Sequence, residues 1–281
     1  MSRTAPIGVF DSGVGGLTVV AALRRRLPEE SILYLGDTAR LPYGTKSPET
    51  VLRYTRTNVE FLLERRVKAV VVACNTASAL AVPHLAPPVP LWGVIEPGAE
   101  RAAATSGGRV GVIATESTVR SDAYAAALRR IRPELEVLSA ACPLFVPLVE
   151  EGWHDDPVTL EVAERYLAPL LAAAIDSLVL GCTHYPVLRP VLERVAGPAV
   201  ALIDSASAVA ERVARDLAAA GLTAPAGASG SLHAYVTDTA EHFARLARMI
   251  LGVEVSLELV DVGSGVDRAG KPAAGPVQSS A

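Results

Sequence analysis

Two of the three cysteines follow apolar, strand-like runs and precede polar residues. Cys74 lies in the stretch VVVACNTA, and Cys182 lies in LGCTHYP. In both places a strand is expected to give way to a helix, where backbone N–H groups lower the pKa of a thiol and favour the reactive thiolate. One such cysteine with a base beside it could be the nucleophile of a hydrolase. Two on opposite sides of one cleft could remove a proton from one face of a carbon and return a proton to the other.

The matching positions of Cys74 and Cys182 favour a reaction that inverts the configuration of a carbon centre. A single base would have to reach both faces of that carbon, so paired bases are the simpler geometry. Cys142 lacks such neighbours, and it is expected to pack in the core, as most free cysteines do.

Further polar residues lie at or near the ends of predicted strands, and together they suit a small amino acid as ligand. Asp11 could hold an amine or orient a base, while neutral hydroxyl, amide and N–H groups could hold carboxylates. His184 is a titratable partner for the adjacent cysteine. Glu150 in LVEEGW is either a further carboxylate of the site or a solvated helix end. The other candidates are Ser12, Asp37, Tyr43, Gly44, Asn75, Thr76, Thr115 to Thr118, and Thr183, of which Asp37, Ser117 and Thr118 are expected to cap helices.

Two cofactor interpretations are weaker. The glycines of GVGG after the first predicted strand suggest a dinucleotide-binding loop, with Asp37 at a suitable distance for a ribose hydroxyl. However, Thr18 stands where the third glycine belongs. The lysines are also poor candidates for a pyridoxal phosphate Schiff base, because only Lys46 and Lys68 precede Lys271 and Lys68 opens a buried strand. We therefore expect chemistry without a cofactor.

The elements that must position these residues alternate along the chain. Short β-branched runs are separated by segments of helical spacing, which predicts a mostly parallel sheet flanked by helices, with ligands beyond the carboxyl ends of the strands. The predicted strands are Ile7–Phe10, Ile32–Leu35, Ala69–Ala73, Leu91–Ile95, Arg109–Ala114, Glu136–Ser139, Ser177–Leu180, Val200–Ile203 and the late Leu232–Val236. A strong amphipathic helix is predicted over Ala206–Ala220.

An internal sequence repeat indicates two similar α/β units. The segment around Cys74 matches the segment around Cys182, and IGVFDSG is more weakly matched by VGVIATES. The expected first domain comprises 1–96 and about 206–262, and the second comprises 97–205. The segment 263–281 has few large apolar side chains and is expected to be a disordered tail.

The composition of the chain limits which classes of partner it is expected to bind. The chain has 26 basic and 30 acidic residues, for a formal net charge of −4, which gives no broad basic surface for nucleic acid. Three cysteines without C-x-x-C spacing suggest reduced thiols in the cytoplasm and no metal site. No export signal or membrane span is expected, so a small soluble ligand fits best.

The motifs GVFDSGVGGLTV, YLGDTARLPYG, VVACNTASA, GVIEPG and LGCTHYP resemble those of the glutamate racemases, in the cofactor-independent aspartate/glutamate racemase superfamily. The resemblance runs from about Ile7 to about Leu259. It implies two similar α/β domains with the active site between them, a supply of D-glutamate for peptidoglycan in a bacterial cytoplasm, and a homodimer.

The resemblance also implies roles for individual residues. Cys74 would take the α-proton from D-glutamate and Cys182 from L-glutamate, with Asp11 and His184 assisting and Glu150 nearby. The implied substrate contacts are Asp11, Ser12, Tyr43, Gly44, Asn75, Thr76, Thr118, Thr183 and His184. In ATESTV, Ser117 stands where a glycine often precedes the threonine, so the chain departs from the family pattern beside Thr118.

Other functions stay open at this point. The cysteines define the chemistry while the pocket walls define the length of the substrate, so aspartate or another small acid is an alternative. A hydrolase with one cysteine would be a different class of enzyme. A protein that binds an amino acid or inhibits a partner without catalysis would keep the cleft, although two intact cysteines argue against this.

Overall fold

A computed structural model describes residues 2–238 and 240–263. The predicted tail, 263–281, lies outside the described residues apart from Gly263. Within the described ranges the chain forms ten strands, which are β1 (Ile7–Asp11), β2 (Ile32–Gly36), β3 (Ala69–Val72), β4 (Leu91–Gly93), β5 (Arg109–Ala114), β6 (Glu136–Ala141), β7 (Ser177–Gly181), β8 (Ala201–Asp204), β9 (Leu232–Val236) and β10 (Leu257–Leu259).

The strands form two separate sheets with matching strand orders. The first has the order β10-β9-β2-β1-β3-β4, and the second has the order β6-β5-β7-β8. All strand pairs in the described ranges are parallel. The order β2-β1-β3-β4 is therefore repeated by β6-β5-β7-β8, with β3 before Cys74 corresponding to β7 before Cys182. The predicted fold class is confirmed, and the internal sequence repeat reflects this repeated order.

Helices cover both faces of each sheet. They are α1 (Leu17–Arg26), α2 (Pro48–Glu64), α3 (Asn75–Leu80), α4 (Ile95–Thr105), α5 (Glu116–Arg120), α6 (Ala123–Ile131), α7 (Phe145–Glu150), α8 (Pro157–Ala172), α9 (Arg189–Ala196), α10 (Ser205–Ala219) and α11 (Ala240–Leu251). Short 3₁₀ turns occupy Thr38–Arg40, Tyr43–Thr45, Val82–His84 and Tyr185–Leu188. None of the helices in the described ranges has the length and apolarity needed to cross a bilayer.

Side-chain alternation along the strands explains the layers. Val9 of β1 packs in one core with α1, α10 and α11, whereas its neighbour Phe10 packs in another core with α2 and α3. Since successive strand residues point to opposite faces, a strand covered on both faces must be apolar throughout. All five residues of β1 and of β7 are buried accordingly, and both strands are apolar apart from Asp11 at the end of β1 and Ser177 at the start of β7.

Local signals set where the longer helices begin. The Ser47 hydroxyl accepts a hydrogen bond from the Thr50 N–H at 3.3 Å, and Pro48 occupies the first helical position of α2. The Asp204 carboxylate accepts from the Ala206 N–H at 2.9 Å and caps α10. Such caps satisfy N–H groups that the helix leaves unpaired.

Some element boundaries differ from the predictions. The predicted strand Leu91–Ile95 is wrong at its end, because β4 stops at Gly93 and α4 starts at Ile95. The Ser78 hydroxyl accepts from the Val94 N–H at 3.1 Å and donates to the Val72 carbonyl, which turns the backbone away from the sheet. The edge strand β10 was not predicted, because it has only three residues, partly exposed.

The packing of two helices bears on the domain boundaries, which stay a proposal. Ala99 and Ala102 of α4 pack with Val112 of β5 in the core of the second sheet, although the proposed break at 96/97 falls inside this helix. Val209 and Val213 of α10 pack in the core of the first sheet. We propose that α4 belongs with the second unit and α10 with the first.

A buried ion pair stabilises the amino-terminal edge of the first sheet. Lys68 Nζ lies 2.5 Å from Glu30 Oε2, and the two side chains are 0% and 2% exposed. The same Nζ donates to the carbonyls of Arg3 and Leu222, and Glu30 Oε1 accepts from the Ala224 N–H. The pair therefore joins the amino-terminal segment, the start of β3 and the segment after α10.

Replacement of Lys68 should be strongly destabilising. In Lys68→Met, the Glu30 carboxylate would stay buried without its counter-charge, so we expect the free energy of unfolding to fall by about 3–5 kcal/mol in urea titrations. Arg101→Met is the control, because its partner Glu211 is 56% exposed and the loss should be below about 1 kcal/mol. Similar small losses for both variants would contradict the assigned role of the buried pair.

Candidate active site

The carboxyl ends of the strands in the two sheets enclose a cavity of about 370 Å³ that both Cys74 and Cys182 line. The two thiols come from the corresponding strands β3 and β7. The other lining residues are Ser12, Gly13, Leu41, Pro42, Tyr43, Gly44, Thr45, Asn75, Thr76, Thr115, Glu116, Pro143, Val146, Pro147, Glu150, Thr183 and His184. Of the predicted site residues, Asp11, Asp37, Ser117 and Thr118 are not among those that line the cavity.

Cys74 is held in a buried turn. It is the residue before α3, it is 5% exposed, and its thiol donates to the Ser12 hydroxyl at 3.6 Å. Burial raises the pKa of the Cys74 thiol to about 12, and the nearby charge of Asp11 acts in the same direction. The Ala77 N–H and the Ser12 hydroxyl lower this pKa but do not outweigh burial. The expectation of a lowered pKa at this position is therefore wrong, because desolvation is stronger than the helix terminus.

Cys182, His184 and Glu150 all line the cavity and form a chain of contacts. His184 Nδ1 lies 3.9 Å from Cys182 Sγ, and His184 Nε2 lies 3.2 Å from Glu150 Oε1. Burial lowers the pKa of His184, but interactions with Cys182 and Glu150 outweigh burial and raise it to about 10. The imidazole is thus cationic at neutral pH, and both ring N–H groups can donate, one to the sulfur and one to the carboxylate.

Asp11 lies behind the cavity at the end of β1 and is fully buried. Its carboxylate accepts from the Gly13 N–H at 3.0 Å and from the Thr183 hydroxyl at 3.3 Å. Burial raises the pKa of Asp11, and the charge of His184 together with these hydrogen bonds partly opposes the rise. Asp11 therefore joins the loop after β1 to the loop after β7.

The glycines of the GVGG loop allow close packing between the two units. A Cβ atom on Gly15 would lie 2.5 Å from both His184 Nδ1 and Thr183 Oγ1, and one on Gly16 would lie 2.4 Å from Asp11 Cβ. Thr18, at the position of the missing third glycine, donates to the Thr183 carbonyl at 3.0 Å. The loop is thus packed against the His184 turn, which accounts for its glycines without a dinucleotide.

Asp37 fixes the turn that carries Tyr43. Its carboxylate accepts hydrogen bonds from the Tyr43 hydroxyl and from Asn58 Nδ2, and it forms an ion pair with Arg40 at 2.8 Å. The expectation that Asp37 caps a helix is wrong, because its side chain makes no capping hydrogen bond to the 3₁₀ turn that follows. A buried carboxylate with this many donors instead holds the Tyr43 side chain at the cavity wall.

A cluster of threonine hydroxyls lies between the two units. Thr76 Oγ1 is 3.0 Å from Thr115 Oγ1 and 3.3 Å from Thr118 Oγ1. Thr118 therefore contacts other threonines behind the cavity wall, and its direct contact with substrate stays a prediction. Ser117 does not cap α5; its hydroxyl donates to the Gly44 carbonyl at 2.6 Å.

Sequence reasoning missed the apolar part of the wall, which Pro143, Val146 and Pro147 form. Thr115 and Glu116 line the cavity at the start of α5 and belong to the predicted run Thr115 to Thr118. The apolar residues gave no signal, because such a run is equally typical of a core.

The charge of the cavity restricts how it can bind a ligand. Among the residues that the structure describes, no Lys or Arg lines the cavity, and the cationic His184 in its wall is paired with Glu150, while Glu116 adds a further carboxylate. Carboxylates of a ligand would therefore be held by hydroxyl, amide and backbone N–H donors. Two thiols on one cavity beside neutral donors are suited to proton transfer at a small amino acid.

Comparison with known sequences agrees with this chemistry. The sequence profile of the Asp/Glu/Hydantoin racemase family matches residues 17–213. A glutamate racemase from Geobacter metallireducens is 52% identical over 261 residues, which cover 90% of this chain and 97% of that protein. The chain belongs to the Asp/Glu/hydantoin racemase family, and it is a racemase, a type of isomerase.

Solved structures share the whole fold. A glutamate racemase isoform from Bacillus anthracis superimposes with a TM-score of 0.89 at 39% identity, covering 92% of this chain and 98% of that one. A glutamate racemase from Francisella tularensis in complex with D-glutamate gives a TM-score of 0.87 at 38% identity, covering 93% and 99% of the two chains.

The assignment of a cationic His184 can be measured directly. We expect NMR titration of the His184 ring to give a pKa of about 10. Glu150→Gln should move this pKa downward, toward the ordinary value of 6.5, because the charge and hydrogen bond that favour the cation are weakened.

Glu151→Gln is the matched control for this titration. Glu151 is the next residue along the chain and is exposed, so its replacement should leave the His184 pKa unchanged. A wild-type midpoint near neutrality, or equal shifts in the two variants, would show that Glu150 does not hold the proton on His184.

Proposed function

We propose that this racemase interconverts L-glutamate and D-glutamate, with Cys74 and Cys182 as its two bases. The observation that carries the proposal is that both thiols, from corresponding strands of two sheets, line one cavity. The names of the similar proteins, glutamate racemases at 52% and 39% identity, support glutamate as the substrate.

In the proposed reaction one thiol removes the α-proton and the other supplies a proton to the opposite face. With L-glutamate, the Cys182 thiolate takes the α-proton as the C–H bond breaks, and Cys74 donates its proton to form the new C–H bond. With D-glutamate, the two cysteines exchange roles. One proton is taken up and one is delivered in each turnover, so atoms and charge balance without a cofactor.

The surroundings of the two thiols suit these roles. The raised pKa of Cys74 keeps it a thiol at neutral pH, so it can donate a proton to a carbanion. His184 lies against Cys182 and can exchange a proton with it as the cysteine changes state. Asp11 and Thr183 hold the two loops together, and Glu150 holds the charge on His184.

The substrate is proposed to be held by neutral donors. Ser12, Asn75, Thr76 and Thr183 line the cavity together with the Tyr43–Gly44 turn. These groups can satisfy two carboxylates without adding positive charge. The positive charge of the substrate's ammonium group would be compensated by the carboxylates of Glu116 and Glu150 in the cavity wall and of Asp11 behind it.

We also propose the biological setting that goes with this activity. The product D-glutamate would serve peptidoglycan synthesis and cell shape, and the enzyme would work in the cytoplasm as a cofactor-independent homodimer. The resemblance of the motifs to those of the glutamate racemases is what supports this setting.

Solvent exchange at the α-carbon tests the proposed activity. Incubation of L-glutamate or D-glutamate in D₂O with the reduced protein should replace the α-proton by deuterium and yield the other enantiomer, followed by NMR and polarimetry. Aspartate serves as the competing substrate, and faster turnover of aspartate would reassign the specificity. Absence of exchange with both glutamate enantiomers would refute the proposal.

The role of each active-site cysteine can be tested by replacing it alone, with replacement of the third cysteine, Cys142, as the control. Cys74→Ala and Cys182→Ala should each lower racemisation by about 10²- to 10⁴-fold, because each removes one proton-transfer group. Cys142→Ala is the control, because Cys142 is equally buried but does not line the cavity. Near-normal activity in either active-site variant would rule out paired cysteine bases.

A further inference from the structure

In the side-chain amide of Asn75, the oxygen has a hydrogen-bond partner and the nitrogen has none within the part of the chain that the structure describes. Asn75 is buried and lines the cavity beside Cys74. Its Oδ1 accepts a hydrogen bond of 2.7 Å from the Tyr124 hydroxyl, whereas its buried Nδ2 has no hydrogen-bond partner among the described residues. An unpaired buried donor is costly, so the Nδ2 group is suited to an oxygen of a bound ligand.

The orientation of the Asn75 amide decides whether the cavity offers a hydrogen-bond donor or an acceptor to a ligand. With Oδ1 bound to Tyr124, Asn75 presents a donor to a carboxylate. Were the amide turned over, Nδ2 would meet the hydroxyl and Oδ1 would face the ligand, where it would repel a carboxylate. Burial raises the pKa of Tyr124, so the hydroxyl keeps its proton and continues to donate.

Tyr124 comes from the opposite unit and is itself 2% exposed. It lies on α6, which packs with the second sheet, and it is not among the residues that line the cavity. Its hydroxyl crosses to Asn75 at the start of α3 in the first unit. The interaction is therefore made between the two units and behind the wall of the site.

The ring of Tyr124 is held by two glycines. A Cβ atom on Gly181 would lie 3.1 Å from Tyr124 Cε2, and one on Gly98 would lie 3.2 Å from Cε1. Gly181 is the residue before Cys182, and Asn75 is the residue after Cys74, so each is adjacent to one of the two cysteines. One buried side chain thus contacts the turns of both cysteines.

We propose that Tyr124 is a positioning residue for racemisation, which orients the Asn75 amide toward the substrate and braces the Cys74 turn against the Cys182 turn. This inference rests on the proposed function, because the acceptor for Nδ2 is taken to be a glutamate oxygen. Tyr124 does not itself touch the substrate and acts through Asn75.

The test is removal of one hydroxyl. In Tyr124→Phe the ring stays between the glycines, so kcat should stay within about threefold of the wild-type value. The Asn75 amide loses its anchor, and KM for both enantiomers should rise about 3- to 10-fold, the range of one neutral hydrogen bond. Tyr166→Phe is the matched control, since its hydroxyl bonds the exposed Leu144 N–H outside the cavity, and its KM should be unchanged.

A double-mutant cycle with Asn75→Ala separates positioning from general stability. If Tyr124 acts through Asn75, adding Tyr124→Phe to Asn75→Ala should raise KM no further. Multiplying effects, or an unchanged KM in Tyr124→Phe despite a lower Tm, would overturn the proposal.

Calorimetric binding of glutamate gives the same four-way comparison without turnover. The dissociation constant should rise in Tyr124→Phe and stay at the Asn75→Ala value in the double variant. A wild-type protein that binds glutamate but does not racemise it would refute the proposed function alone, whereas additive losses of binding would refute the role of Tyr124 alone.

Discussion

The proposed activity depends on one geometric constraint, that two sulfur atoms from distant parts of the chain must line one small cavity and flank the substrate within it. A single sheet places its strand ends along one edge, so it cannot supply two opposed groups. Two parallel sheets with their carboxyl ends facing each other can do so. The matching strand orders place Cys74 after β3 and Cys182 after β7, so the same local turn supplies both thiols.

Although the two turns match in topology, their chemistry differs. Burial disfavours charge on both Cys74 and His184, but it prevails only at Cys74, because the neighbours of His184 outweigh it. For Cys74, burial and the nearby charge of Asp11 raise the pKa of the thiol to about 12, although the Ala77 N–H and the Ser12 hydroxyl oppose the rise. His184 has Glu150 and Cys182 as partners, so it keeps its proton. Contacts between the units, such as those of Thr183 with Asp11 and of Tyr124 with Asn75, then maintain the alignment.

The sequence predicted the fold class and a shared cleft for Cys74 and Cys182 because both are encoded locally, in buried apolar strands followed by short polar motifs. It failed where the outcome depends on packing between distant segments. Leu91–Ile95 looked like one apolar strand, but the Val94 N–H donates to the Ser78 hydroxyl and the strand ends early. Asp37 looked like a cap, but Arg40 and Asn58 make it the centre of a buried network. The contact of Tyr124 with Asn75 gave no sequence signal, because it exists only once the two units are packed together.

The most direct measurement of the central claim is a crystal structure of the protein with glutamate bound. The account predicts that the Cys74 and Cys182 sulfurs lie on opposite faces of the α-carbon, each about 3–3.5 Å from the α-carbon, as reacting atoms must be. Both sulfurs on the same face, or one of them out of contact with the ligand, would contradict it.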